Sequence, residues 1–105
     1  MKNKLFIICL LSMNSLLTQG CEQQIDQAVI DQYNKSCAMC HDTGIANAPK
    51  LGDVSQWSPR LEKGMDALVT SVDKGMNAMP PKGMCYDCSD DDFKTLIEYM
   101  TKEMQ

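Results

Sequence analysis

The sequence predicts an all-α domain, and three observations carry that prediction. Apolar residues recur at helical spacing in three separate stretches, and nowhere do they follow the strict alternation of a half-buried strand. Glycine and proline fall between those stretches, at Gly44, Pro49, Gly52, Gly64, Gly75, Pro80, Pro81 and Gly83. With 105 residues and no internal repeat, the chain holds one domain at most.

The first twenty residues stand apart. Lys2 and Lys4 make a positive start, Leu5 to Leu11 is an apolar run extended by Leu16 and Leu17, and Thr18-Gln19-Gly20 ends it where a signal peptidase cuts. The run is too short to span a bilayer, which takes about 20 residues. Residues 1–20 are therefore read as a signal peptide and 21–105 as the domain, exported to the bacterial periplasm. Cys21 follows the cut directly. That is where a bacterial lipoprotein is acylated, although Leu17 lies four residues ahead of it where three is usual. A soluble periplasmic protein and one tethered to the membrane through a lipid on Cys21 are both open readings.

Cleavage leaves 85 residues, a marginal length for a core of side chains alone. A staple, metal or cofactor is expected. Losing Lys2 and Lys4 leaves 8 basic residues against 14 acidic, a net charge of −6, and nothing in that balance suggests nucleic-acid binding.

The first helix is expected from Glu22 to about Lys35, with Ile25, Ala28, Val29 and Tyr33 as its apolar stripe. Asp42 to Trp57 reads as loop, and Trp57 as a core aromatic or pocket wall with its N–H on a carbonyl. Ser58-Pro59 is expected to start a helix, with Leu61, Met65, Leu68, Val69 and Val72 on its apolar face, a break at Gly64 and a stop at Gly75. Met76 to Cys88 is expected as an extended loop, because two successive prolines oppose a helix. Ser89 with Asp92 forms a capping box for the last helix, whose apolar face is Phe93, Leu96, Ile97, Met100 and Met104.

Chemistry is concentrated in Cys37-Ala38-Met39-Cys40-His41, a C-x-x-C-H pattern of covalent haem attachment. The two thiols are spaced to reach one edge of a haem, and His41, the one histidine of the chain, can offer its ring to the iron. The same pattern can serve as a redox dithiol, as a disulfide, or with Cys85 and Cys88 as a zinc site. Zinc would lack donors if the first three residues hold haem. An oxidising compartment favours thioethers and disulfides over free thiols.

Four segments together resemble the small bacterial class I cytochromes c, and cytochrome c5 in particular. They are Cys37 to His41, Ala48-Pro49-Lys50-Leu51-Gly52-Asp53, Met79-Pro80-Pro81-Lys82-Gly83 and Cys85-Tyr86-Asp87-Cys88-Ser89-Asp90. The resemblance covers Tyr33 to Tyr99, including the Trp57-Ser58-Pro59-Arg60 turn. It implies about three to five helices wrapped around one covalently attached haem c, with the first and last helices crossing. It implies Cys37 and Cys40 as the attachment points, His41 and Met79 as the axial iron ligands, and a disulfide between Cys85 and Cys88. The residues themselves leave the Cys85–Cys88 pair open to a disulfide or a reducible switch.

Of the nine methionines, Met79 alone is braced by Pro80 and Pro81. Met1 and Met13 leave with the signal, Met39 lies between the haem cysteines, and Met65, Met100 and Met104 sit on apolar helix faces. Met76 and Met84 remain as alternatives. Two axial ligands leave the iron no open position, so the expected role is a one-electron carrier between redox protein partners, not an enzyme. The alternatives are a haem-bearing subunit of a larger oxidase or dehydrogenase, and a gas-binding sensor. A monomer or weak dimer is expected, with Lys35, Lys50 and Lys82 as candidate cations around the haem edge.

Overall fold

The computed structural model describes residues 24–102. The expected signal peptide, Cys21 and Met104 lie outside the described residues. Five helices follow one another: α1 (Gln27–Ser36), α2 (Ala38–His41), α3 (Val54–Leu61), α4 (Met65–Lys74) and α5 (Asp90–Thr101), with short 3-10 turns at Ile45–Asn47 and Pro81–Met84. Among the described residues there is no named strand, and none of the helices is long and apolar enough to cross a membrane.

α1 starts later than its stripe suggested, because Asp26 caps it. The Asp26 carboxylate accepts the Ala28 N–H at 3.0 Å, and the carboxylate satisfies one of the free donors of the first turn. Of the stripe, Tyr33 is buried and Val29 packs against the core.

The segment read as loop up to Trp57 ends in helix. α3 begins at Val54, capped by Asp53, whose carboxylate accepts the Gln56 N–H at 3.1 Å. Ser58 is therefore not a cap, and Pro59 lies inside the helix. Asp53 followed three residues later by Gln56 has the spacing of a capping signature and competes with Ser58-Pro59 as a helix start. Gln56 turns its side chain to accept the Lys50 N–H at 2.8 Å and so ties the helix to the preceding loop.

The glycine stops fall as expected. Gly64 (φ 89°) separates α3 from α4, and Gly75 (φ 80°) ends α4. Ser89 caps α5, and Ser89 and Asp92 hold each other reciprocally, the Ser89 N–H donating to Asp92 at 2.8 Å. The two prolines do not leave the 76–88 loop extended throughout. Pro81 opens a 3-10 turn in which Lys82 and Gly83 take left-handed conformations.

The core is the inner face of α5 (Phe93, Leu96, Ile97, Met100) against Tyr33 of α1, Trp57 of α3 and Leu68 of α4. The Tyr33 and Tyr99 rings meet edge to face at 5.1 Å where α1 and α5 pack. The Gly52 N–H donates to the Met100 carbonyl at 2.8 Å, fastening the loop to the end of α5. Cys85 and Cys88 are bonded to each other and buried beside this core.

Candidate haem site

α1 runs straight into α2, with Cys37 as the last cap of one and the first of the other. The N–H groups of Cys40 and His41 both donate to the Cys37 carbonyl, at 3.2 and 3.0 Å. This single turn places residues i, i+3 and i+4 on one face, so both sulfurs and the imidazole share a side. Spacing alone predicted that grouping.

Cys37 and Cys40 are half-buried and not bonded to each other. Burial, with Cys40 adding to it, pushes the Cys37 thiol up to about 11. A redox dithiol needs a readily formed thiolate, so this is the wrong electrostatic setting for one. Zinc is no better served: among the described residues no group of three or more His, Cys, Asp or Glu converges on a metal position.

His41 is 6 % exposed. Its Nδ1 lies 2.7 Å from the Pro49 carbonyl, an acceptor only, so Nδ1 carries the proton and donates. Nε2 then holds the lone pair. No buried side-chain nitrogen or oxygen lacks a partner among the described residues, so Nε2, which has none, must open onto the cavity. The ring lies nearly parallel to Trp57, at 23° and 6.0 Å between centroids. Trp57 donates its own N–H to the Lys50 carbonyl at 2.7 Å, which makes it a pocket wall with a satisfied polar handle. The buried Tyr33 hydroxyl donates to Asp42 at 2.5 Å, clamping the residue after His41; no sequence cue pointed to that pair.

Met79 is held more tightly than its prolines alone would ensure. Met76 and Met79 exchange backbone hydrogen bonds, at 3.1 and 2.9 Å, in an isolated antiparallel bridge. Gly75 lets the loop close: a Cβ there would stand 2.8 Å from the Met79 carbonyl oxygen and 2.9 Å from the Pro81 nitrogen. A Cβ at Gly83 would meet the Met79 methyl at 3.1 Å.

Cys37, Cys40, His41 and Met79 all line one cavity of about 960 Å³, walled mainly by apolar side chains of α3, α4 and α5. Met76 and Met84 line it too, at its more exposed margin. The cations at the cavity are Arg60, Lys63 and Lys82, not Lys35 or Lys50. The Arg60 guanidinium donates to the Gln56 carbonyl. Lys82 is paired with Asp73 at 3.0 Å and sits over the Phe93 ring. The Lys50 stem lies across Gly44, where a Cβ would be 2.7 Å from its Cε. Arg60, on a helix that starts five residues earlier than expected, and Lys63, in the turn after it, are cations that the sequence did not mark.

These residues suit a haem: two unbonded thiols, an imidazole with its free nitrogen facing inward, a thioether, and an apolar hollow of sufficient volume. A family model described as cytochrome C oxidase, cbb3-type, subunit III matches residues 27–100. The chain is 48 % identical over 73 residues to cytochrome c5 of Azotobacter vinelandii, covering 68 % of this chain and 88 % of the relative. The chain belongs to the monohaem class I c-type cytochromes, like cytochrome c5.

Two solved structures agree. The mono-haem ferrocytochrome c of Shewanella putrefaciens is 54 % identical with a TM-score of 0.65, covering 70 % of this chain and 91 % of that one. A chain from an electron transfer complex of nitrite reductase with cytochrome c is 40 % identical with a TM-score of 0.70, covering 78 % of this chain and all of the other. This cytochrome thus has the small all-α class I fold, carries one covalently bound haem c, and is an electron carrier rather than an enzyme.

Proposed function

We propose that this cytochrome is an exported, periplasmic one-electron carrier in which Cys37 and Cys40 hold the haem covalently and His41 and Met79 occupy the two axial positions. One observation carries the reading: all four side chains line the same cavity, although Met79 is far from the others in sequence. The haem supplies the redox couple, taking up and releasing one electron.

The chain supplies the rest. The Pro49 carbonyl fixes the tautomer and tilt of His41, so its Nε2 lone pair keeps one direction. The Met76–Met79 bridge fixes the backbone from which the thioether projects. Neither donor has to move when the charge changes, which keeps reorganisation small. A thioether favours the reduced form, and the apolar wall excludes water, both raising the potential.

Partners are other redox proteins. Met39, Ile45, Met76 and Met84 are exposed and border the cavity, an apolar rim suited to brief docking. The nitrite reductase complex of a structural relative supports a partner of that class. Residues 1–20 are removed on export in this reading, leaving Cys21 as the new N-terminus.

The intact mass of the purified protein tests the attachment. One haem should be added to the chain cut before Cys21, with or without the mass of acyl groups, and Cys37→Ser with Cys40→Ser should carry no covalent haem. Haem surviving acid extraction in that double variant would refute the assignment. The name of the matching family favours a second reading, a haem subunit of an oxidase. Stoichiometric copurification with a catalytic subunit would support it.

A further inference from the structure

α2 is a single turn of four residues, and one helical turn does not hold itself. It carries Cys40 and His41, so its ends must be fixed from outside if His41 is to keep one direction. Both ends go to one residue. At the head, the Cys37 N–H donates to the Tyr33 carbonyl at 2.8 Å. At the tail, the Tyr33 hydroxyl donates to the Asp42 carboxylate at 2.5 Å, and the Asp42 N–H donates to the Ala38 carbonyl at 2.9 Å. Tyr33 itself is set in the core, 1 % exposed, with its ring edge to face against Tyr99 of α5. A phenylalanine would fill that place with no polar group to satisfy; the hydroxyl is what reaches Asp42. Burial, and then the bond to Asp42, holds the phenol well above its ordinary value of 10.0, so the hydroxyl stays a donor.

We propose that Tyr33 and Asp42 are positioning residues for His41: the pair fastens the tail of the α2 turn to the α1–α5 core and so sets the plane in which the imidazole meets the iron. Neither residue lines the cavity, so the pair acts through His41 and does not touch what fills the hollow. The division of labour is visible in the contacts. The Pro49 carbonyl holds the ring at Nδ1, 2.7 Å away, while Tyr33 and Asp42 hold the backbone from which the ring projects. The Leu51 N–H on the His41 carbonyl at 2.8 Å ties the Pro49 loop to the same residue. Without the Tyr33 hydroxyl the tail of the turn loses its anchor, but the Pro49 bond survives. The ring therefore turns about that bond and keeps its nitrogen on the iron. The change expected is in ring orientation, not in loss of ligation.

The proposal rests on His41 being an axial ligand, and one spectrum separates the two claims. The test is proton NMR of ferric holoprotein carrying isotope-labelled histidine; His41 is the one histidine of the chain, so the label reports a single ring. The unpaired spin of ferric iron shifts the ring of its ligand and spreads the haem methyl resonances according to how the axial ligands are turned. Tyr33→Phe, which keeps the core ring, should redistribute the methyl shifts while the labelled ring stays iron-shifted. Asp42→Ala should give the same pattern, and the double variant should add nothing to either single change. Asp42→Asn, which keeps an oxygen acceptor, should retain the wild-type pattern. A lower Tm with an unchanged methyl pattern in Tyr33→Phe would overturn the proposal and leave the pair a stabilising contact only. Shifts that simply add in the double variant, or a changed pattern in Asp42→Asn, would overturn it too, the latter by assigning the effect to charge. A labelled ring with no iron shift in the wild type would instead refute His41 as the ligand, and the proposal with it.

Discussion

At Gly83 one methyl group decides how Met79 is held. The position has φ 54°, and an added Cβ would press on the Met79 methyl at 3.1 Å. Gly83→Ala should cost about 1–2 kcal/mol for the left-handed backbone and also displace the thioether. Its reduction potential should fall and its red absorption band weaken; an unchanged band would show that the contact does not matter. Tyr33 makes a second single-residue test. Burial first, then its bond to Asp42, holds the Tyr33 phenol well above its ordinary value of 10.0. An unfolded chain ionises near pH 10 while the folded one keeps the proton, so stability from this group is complete below pH 10 and falls as pH rises beyond it. Tyr33→Phe should lose about 1–2 kcal/mol at neutral pH through the missing hydrogen bond. It should also flatten the alkaline limb of a thermal-melt series.

The elements owe their ends to side chains that differ in how plainly they announce themselves. Ser89 with Asp92 is legible because the cap, the acid and the apolar run follow one another without interruption, and the structure forms both halves of the box. Ser89→Ala should therefore cost about 1 kcal/mol, or roughly 4–8 °C in Tm for a domain of this size. Asp53 was hidden because Ser58-Pro59 offers a competing start just downstream, and local cues do not say which one the loop contacts of Gln56 will favour. Asp53 and Asp92 both have carboxyls held below the usual range, Asp53 by hydrogen bonds from Ser55 and Gln56 and Asp92 by those from Ser89. Such groups add stability above the unfolded value of 3.8 and lose it as pH falls through the lower folded value. Acid melts should thus show α3 and α5 loosening only below pH 3.8, with Asp53→Asn and Asp92→Asn removing part of that dependence. The Cys85–Cys88 bond closes a short loop after the Met79 turn and should contribute about 2 kcal/mol. Thiol titration of the unfolded, unreduced chain should find neither cysteine free.

Across the whole molecule, much of the site was legible because its parts are local. Cys37, Cys40 and His41 share one helical turn, and Met79 is marked by the prolines that follow it. What sequence did not reveal is which residues meet: the Tyr33–Asp42 clamp, the Met76–Met79 bridge, and the Lys82–Asp73 pair that engages one expected docking lysine. That last contact changes the expected behaviour of the rim. With Lys82 paired, Arg60 and Lys63 remain as cations at the cavity, so electron-transfer rates should depend modestly on salt, changing less than about tenfold between low and physiological ionic strength. The central claim is that Met79 closes the second face of the haem site. The oxidised optical spectrum of Met79→Ala holoprotein tests it most directly: the weak sulfur-to-iron band near the red end, present in the wild type, should be absent. Its survival in the variant would contradict the assignment and hand the role to Met76 or Met84.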